Sequence, residues 1–320
     1  MKVPVLVSSW RKGRACVSSV SRGAALIAVL VVLGMGLGPV AATQAQSSPV
    51  PEGATVEEIA GGFEFTEGPL WYSGRLVFSD IPANRVYEWT AEEGARVLLE
   101  PSGHANGLAV DPEGRLLLAQ HDGQVGRRAA EAEIESLVAA YRDRRLNSPN
   151  DLTVADDGTI YFTDPPYGVD AENRELDFSG VYRLDPDGTL TLLTKEFSRP
   201  NGIVLSPDES TLYVNDTEET LVRAYDVADD GSLANARLFA RPEGDGAGAA
   251  DGMKVDVRGN LYTTGPGGIW VYAPDGELLD RISVPVGPTN LAFGGPDRTT
   301  LYITAREKVY RIPVSVRGAE

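Results

Sequence analysis

Cysteine is almost missing from this 320-residue chain: Cys16 is the only one, and it lies in an N-terminal segment unlike the rest. The remaining chain therefore owes no stability to disulfides. Histidine is nearly as scarce, with His104 and His121 alone. The GxSxG elbow, the P-loop and the HExxH helix are all absent, so serine-hydrolase, nucleotide-phosphate and zinc-protease chemistry have no residues to carry them. Acid is missing from one stretch as well: no Asp or Glu occurs before Glu52.

That acid-free stretch is ordered by composition. Residues 1–23 carry Lys2, Arg11, Lys12, Arg14 and Arg22, an apolar run extends from Ala24 to Ala42, and ATQAQS follows. Basic, apolar and then small residues read as a secretory signal, cut after Ala42 or Ala45. The alternative is an uncleaved anchor, since the run approaches the ~20 residues that span a bilayer. Gly34, Gly36, Gly38 and Pro39 weaken it as a stable helix. The expected layout is a signal over residues 1–45, a short linker over 46–54, one domain over 55–316 and a tail over 317–320, with a periplasmic or secreted location. Five of the 29 Lys and Arg fall in the leader, leaving 24 against 46 acids and a net charge of −22. Such a surface repels nucleic acid and anionic lipid, so no nucleic-acid partner and no stable membrane association after cleavage are expected.

A repeat organises the remainder. Six oxygen-bearing residues each precede a strand, a tight turn and a second strand: Glu67 (TEGPLWYSGRLVFSD), Asn106 (ANGLAVDPEGRLLLAQ), Asn150 (PNDLTVADDGTIYFTD), Asn201 (PNGIVLSPDESTLYVND), Asp251 (ADGMKVDVRGNLYTTG) and Asn290 (TNLAFGGPDRTTLYITA). They are 39, 44, 51, 50 and 39 residues apart, the period of a propeller blade. Third strands follow in most units as RVYEW, GVYRL, LVRAYDV, GIWVYA and KVYRIPV, and fourth strands as ARVLL, LTLLTKEF, ARLFA and LLDRISV. The last unit stops after Val314 with three strands, and TVEEIAGGFEF (Thr55 to Phe65) is placed to supply its fourth. The expected fold is all-β, a six-bladed β-propeller with four-stranded blades whose ring is closed by that N-terminal strand. Residues 129–145 are rich in Ala and Glu and read as either a short helix or a ragged strand.

Equivalent positions of successive blades meet around the central channel of a propeller. Six positions filled only by Glu, Asn and Asp make a ring of hard oxygen donors. These suit one divalent cation, Ca²⁺ first, then Mg²⁺ or Mn²⁺, with Zn²⁺ less well matched. Glu67 and Asp251 bring the two negative charges. Asn and Asp also open strands simply as turn formers, which accounts for one or two of the positions but not for six in register.

These motifs resemble a known family. FTEGPLWYSGRLVFSDIPANRVYEW, NGLAVDPEGRLLLAQHDG, LNSPNDLTVADDGTIYFTDPPYG, RPNGIVLSPDESTLYVND and DGMKVDVRGNLY are similar to the gluconolactonase (senescence-marker-protein) family over about Phe65 to Tyr310. The NSPND and TDPPYG segments resemble its bacterial gluconolactonase branch. The resemblance implies a six-bladed propeller with an axial divalent cation that hydrolyses lactones. It implies Glu67, Asn150, Asn201 and Asp251 as metal ligands, a subset of the six above. Related paraoxonases and organophosphate hydrolases share that cation site. Another lactone, an aryl ester or an organophosphate is therefore an alternative substrate, and a non-catalytic ligand-binding propeller is a second alternative.

For the reaction, Asp251 is the first candidate for general base and His121 the competing one, since an imidazole with a pKa of ~6.5 suits proton transfer. Asn106, His104, Asn147, Tyr167 and His121 are the expected substrate contacts. Asp80, Asp164 and Asp216 end second strands and are candidates for supporting or substrate contacts, though an Asp ending a strand is often just a turn former. Two loops, Asp164 to Gly180 and Arg241 to Ala250, are expected to shape the pocket, with Tyr167 covering a sugar face. The expected substrate is a small lactone, D-glucono-1,5-lactone by resemblance, opened to the hydroxy acid with the cation stabilising the developing oxyanion.

Overall fold

The computed structural model describes residues 47–129 and 133–319, and the leader expected over residues 1–45 lies outside them. Strands dominate, and the residue pattern explains why. Arg75–Asp80 puts Leu76 and Phe78 into one apolar cluster and Val77 into another, the period-two alternation of a sheet buried on both faces. Leu116–Gln120 repeats it, with Leu116 and Leu118 facing one cluster and Leu117 and Ala119 the next. Each core therefore lies between two neighbouring sheets. Leu70, Val77, Val86 and Leu99 of the first repeat meet Ala105, Leu108, Leu116 and Leu118 of the second. At about 1.5–3 kcal/mol for each fully buried large apolar side chain, these shared cores bind sheet to sheet.

The architecture is an all-β propeller of mostly four-stranded antiparallel blades, but the expected count of six is corrected. Among the described residues, hydrogen bonding defines five blade sheets, four of them four-stranded. The fifth has six strands, in the order Asn290–Gly294, Thr300–Pro313, Glu57–Tyr72, Arg75–Asp80, Arg85–Thr90 and Gly94–Leu99. Two long strands cause the difference. Thr300–Pro313 pairs with Asn290–Gly294 through residues 300–304 and with the N-terminal strand through residues 306–311. Residues 66–72 of that N-terminal strand then pair with Arg75–Asp80. The first and last repeats are thus fused into one sheet instead of standing as separate blades.

The outer part of the second repeat is a strand, Ile134–Val138, followed by a two-stranded ribbon of Ala140–Tyr141 and Arg144–Arg145. Both ends of the described region are bound in. In the expected linker, Val50 and Ala54 pack against the core of the last repeat, and the Ser315 N–H donates to the Pro49 carbonyl at 2.7 Å. In the expected tail, the Ala319 N–H donates to the Val255 carbonyl at 3.1 Å.

Toward the axis the inner strands meet through their main chains. Pairing slips between Glu67 and Leu70, Ala105 and Leu108, and Pro200 and Ile203, so the marked residue of these repeats sits in a bulge. A glycine follows it in four repeats: Gly68, Gly107, Gly202 and Gly252. A Cβ on Gly107 would lie 2.7 Å from the Asp151 Cα and 2.8 Å from the Asn150 carbonyl oxygen. No side chain fits, because the next repeat's backbone already occupies the space. The approach is also a hydrogen bond, the Gly107 N–H donating to the Asn150 carbonyl at 2.8 Å. Gly107→Ala is expected to cost about 1–3 kcal/mol by overpacking. Denaturant unfolding should show a lower midpoint at unchanged slope, and an unshifted midpoint would remove the close-contact argument.

Candidate active site

Five of the six marked residues line one cavity of about 270 Å³: Glu67, Asn106, Asn150, Asn201 and Asp251. His121, Tyr167 and Thr217 join them, with Phe65, Ile81 and Pro82 on one wall. A larger groove of about 480 Å³ around Arg183, Asp185 and Asp230 shares none of these residues. The smaller cavity is the candidate, because buried polar groups from several sheets converge in it.

Backbone contacts position this ring. The Ser79 hydroxyl donates to the Asn106 carbonyl at 2.8 Å, the Thr163 hydroxyl to the Asn201 carbonyl at 2.7 Å, and the Asn215 amide to the Asp251 carbonyl. In each case the second strand of one repeat holds the marked residue of the next. A further clamp fixes the approach to three of the marked residues. Asp80 accepts from the Glu64 and Phe65 N–H groups, Asp164 from those of Asn147 and Ser148, and Asp216 from those of Ser198 and Arg199. The register is the same each time, three and two residues before Glu67, Asn150 and Asn201. These aspartates, expected as supporting contacts, act on the backbone and do not line the cavity. Burial still pushes the Asp164 carboxyl up to about 7, against the two N–H groups that favour its charge.

The floor is electrostatically strained. The Asp251 carboxyl is within hydrogen-bonding reach of the Glu67 carboxyl and the Asn201 amide. Glu67 Oε2 accepts from the Gly68 N–H at 2.9 Å and from Asn290 Nδ2 at 3.1 Å. Burial nevertheless pushes Glu67 up to about 8, with repulsion from Asp151 adding to it. Burial, then the charges of Glu67 and Asp151, hold Asp251 well above the usual carboxylate range. The charge of Lys254, itself buried, offsets part of this at Glu67.

His121 is covered by the loop that follows Asp164. A Cβ on Gly168 would lie 2.6 Å from the His121 Cβ, so the loop rests directly on this residue and carries Tyr167 to the cavity. Burial first, then the nearby His104, lower the His121 pKa to about 4. Asn106 Nδ2 lies 3.2 Å from His121 Nε2. An amide NH₂ only donates, so Nε2 accepts, and the neutral imidazole carries its proton on Nδ1.

The remaining expected residues are placed elsewhere. The His104 ring is at the surface, its Nδ1 2.8 Å from Asp122 Oδ1. Asn147 is occupied by the loop, donating to the Asp164 and Phe178 carbonyls at 3.0 Å and accepting from Arg174 Nε at 3.1 Å. Asn290 stands behind the cavity, against Glu67 and 3.5 Å from Asp151 Oδ2. Asp151, Thr217 and the apolar wall were not anticipated. Asp151 did leave a signal, since it stands where four of the other repeats have glycine.

Residues 65–307 match the family model described as the SMP-30/Gluconolactonase/LRE-like region. A gluconolactonase of Zymomonas mobilis subsp. mobilis is 37% identical over 297 residues, covering 82% of this chain and 82% of that one. The solved structure of a gluconolactonase from Xanthomonas campestris agrees with a TM-score of 0.76 at 35% identity, over 83% of this chain and 91% of that one. Regucalcin from Agrobacterium tumefaciens, a calcium-binding protein, reaches a TM-score of 0.71 over 85% of this chain and 97% of that one; at 23% identity it shows the fold alone. The match runs from the strand of Glu67 to the closing strand of the last repeat, and the chain belongs to the SMP-30/gluconolactonase/LRE-like family.

Proposed function

We propose that this protein is a divalent-cation-dependent lactonase that opens a sugar lactone, D-glucono-1,5-lactone first, to its hydroxy acid. One observation carries the reading: Glu67 and Asp251 reach each other at the floor of a cavity that Asn150 and Asn201 also line. The gluconolactonases of Zymomonas mobilis and Xanthomonas campestris support the substrate class.

The donor set fits such an ion. Two neighbouring carboxyls are raised by burial and by repulsion, from Asp151 at Glu67 and from Glu67 and Asp151 at Asp251, a penalty that a dication would relieve. Among the described residues no hydrogen bond occupies the Asn150 carboxamide, which is nearly inaccessible and lines the cavity. No group of three or more His, Cys, Asp or Glu with metal-site geometry occurs among the described residues. The four donors here are instead two carboxylates and two carboxamides. All are hard oxygens, which favours Ca²⁺ over Zn²⁺.

Glu67, Asn150, Asn201 and Asp251 would hold the cation. When bound, it supplies charge to polarise the lactone carbonyl and to stabilise the oxyanion that develops there. Asp251 is part-open to the cavity and takes the proton of the attacking water. His121 is the weaker base, since burial keeps it neutral and Asn106 occupies its Nε2; the two side chains together bound and orient the lactone. Tyr167 and Thr217 close the opposite side.

Two measurements follow. Glu67→Ala is expected to weaken cation binding by more than ~100-fold, beyond the 10–100-fold typical of lost outer-shell partners, and to abolish cation-dependent turnover. Wild-type affinity and activity in that variant would sink the assignment. The second concerns pH. In the cation-free protein, Glu67 is raised from 4.5 to about 8 and Asp251 is raised with it. The Glu67 contribution to stability is full below pH ~4.5 and is lost as pH rises through about 8, and the Asp251 contribution is lost in the same sense. His121 acts in the opposite sense, its contribution present above 6.5 and lost as pH falls through about 4. The melting temperature of the cation-free protein is therefore expected to fall between about pH 6.5 and pH 9, and saturating Ca²⁺ to flatten that fall by displacing the protons. A melting temperature that climbs across this range without the cation would contradict the account.

A further inference from the structure

The wall of the cavity has a chemistry that the floor does not use. Phe65, Ile81 and Pro82 line it from the first repeat, and none of them belongs to the six apolar clusters that form the cores. Nor are they loosely placed. The Ile81 N–H donates to the Phe65 carbonyl at 3.1 Å, and the Phe65 N–H donates to Asp80 Oδ1 at 2.9 Å. Across the cavity stands Tyr167, 37% exposed, with its phenol against Thr217 and Asn201. Apolar side chains fixed at the rim of a polar site, and not used for folding, mark a surface that a ligand covers.

Charge points the same way. The cavity lining contains no Lys and no Arg. The nearest guanidinium over Tyr167, that of Arg199, stacks on its ring at 5.6 Å and lies 3.5 Å from Glu218 Oε2. An anionic substituent on the substrate would find no cationic side chain in the lining to receive it. The cavity volume is about 270 Å³. That is room for a lactone ring and a short substituent.

We infer that, beside the sugar lactone, the pocket also takes uncharged lactones bearing an apolar substituent on the ring, the substituent resting on Phe65, Ile81 and Pro82, and that it turns away lactones bearing an anionic group. The inference rests on the lactonase reading above and names the substrate class for the same site. The chemistry is unchanged. Water oxygen bonds to the carbonyl carbon, the ring C–O bond breaks, and one water proton ends on the departing alkoxide. The products are a carboxylic acid, which releases its proton, and an alcohol on one chain.

The test is a substrate series with the cation-loaded wild-type enzyme: δ-valerolactone, δ-hexalactone, δ-octalactone, D-glucono-1,5-lactone and 6-phospho-D-glucono-1,5-lactone. The value of kcat/KM is expected to rise about three- to fourfold for each methylene added to δ-valerolactone over the first few carbons, the factor that burying one CH₂ implies. The phosphorylated lactone should be at least ~10-fold poorer than its neutral parent, a 1.4 kcal/mol difference. In Ile81→Asn the ratio of kcat/KM for δ-octalactone to that for δ-valerolactone should fall about tenfold. A flat or falling chain-length series with D-glucono-1,5-lactone still hydrolysed would overturn the inference and leave the lactonase reading standing. No turnover of any of the five would overturn both.

Discussion

Backbone lying against backbone, glycine against carbonyl, is the contact on which the rest of this molecule depends. Successive inner strands approach so closely at Gly107 and Gly202 that even a methyl group has no room. That approach brings the marked residues of separate repeats within reach of one another. It also removes water from around them. Glu67 and Asp251 are consequently held as carboxyls that resist ionisation, and a dication becomes the natural partner for them. On the proposed function, the demand for a cation follows from packing, one step removed.

The molecule divides its tasks between layers. Apolar side chains alternate along each strand and hold neighbouring sheets together. Hydroxyls and amides on second strands hold the marked residues by their carbonyls. Aspartates at the ends of those strands hold the segments leading into them. The side chains of Glu67, Asn106, Asn150, Asn201 and Asp251 are thereby left to face the cavity. Loops add what the repeat does not specify: Gly168 lets one of them settle on His121 and set its neutrality, and Ile81 and Pro82 supply an apolar wall.

The propeller was legible because its signal is local and repeated. Strand, turn and strand recur in step with one oxygen-bearing residue, and five of the six such residues meet in the cavity. The blade count was not legible, because fusion of the first and last repeats depends on two strands running on through points where a break was expected. His104 and Asn147 were placed near substrate from their sequence neighbours. Whether a side chain turns inward or toward a partner such as Asp122 or Phe178 is decided by loop geometry, which leaves no periodic trace. Asp151 was overlooked despite being visible as a break in the glycine pattern. Whether the strand-ending aspartates support the backbone or meet substrate was not legible, because a buried acid receiving two N–H groups has the same sequence signature as an acid awaiting substrate.

Two buried carboxyls brought together at the floor of the cavity, Glu67 and Asp251, are what we propose makes this lactonase depend on a cation. The most direct test is calorimetric titration of chelator-stripped wild-type protein with Ca²⁺, with D-glucono-1,5-lactone hydrolysis measured at each step. The account predicts one catalytic equivalent per chain, protons released on binding at pH ~7, and activity returning in proportion to occupancy. Full hydrolysis by the stripped protein before any cation is added would contradict it.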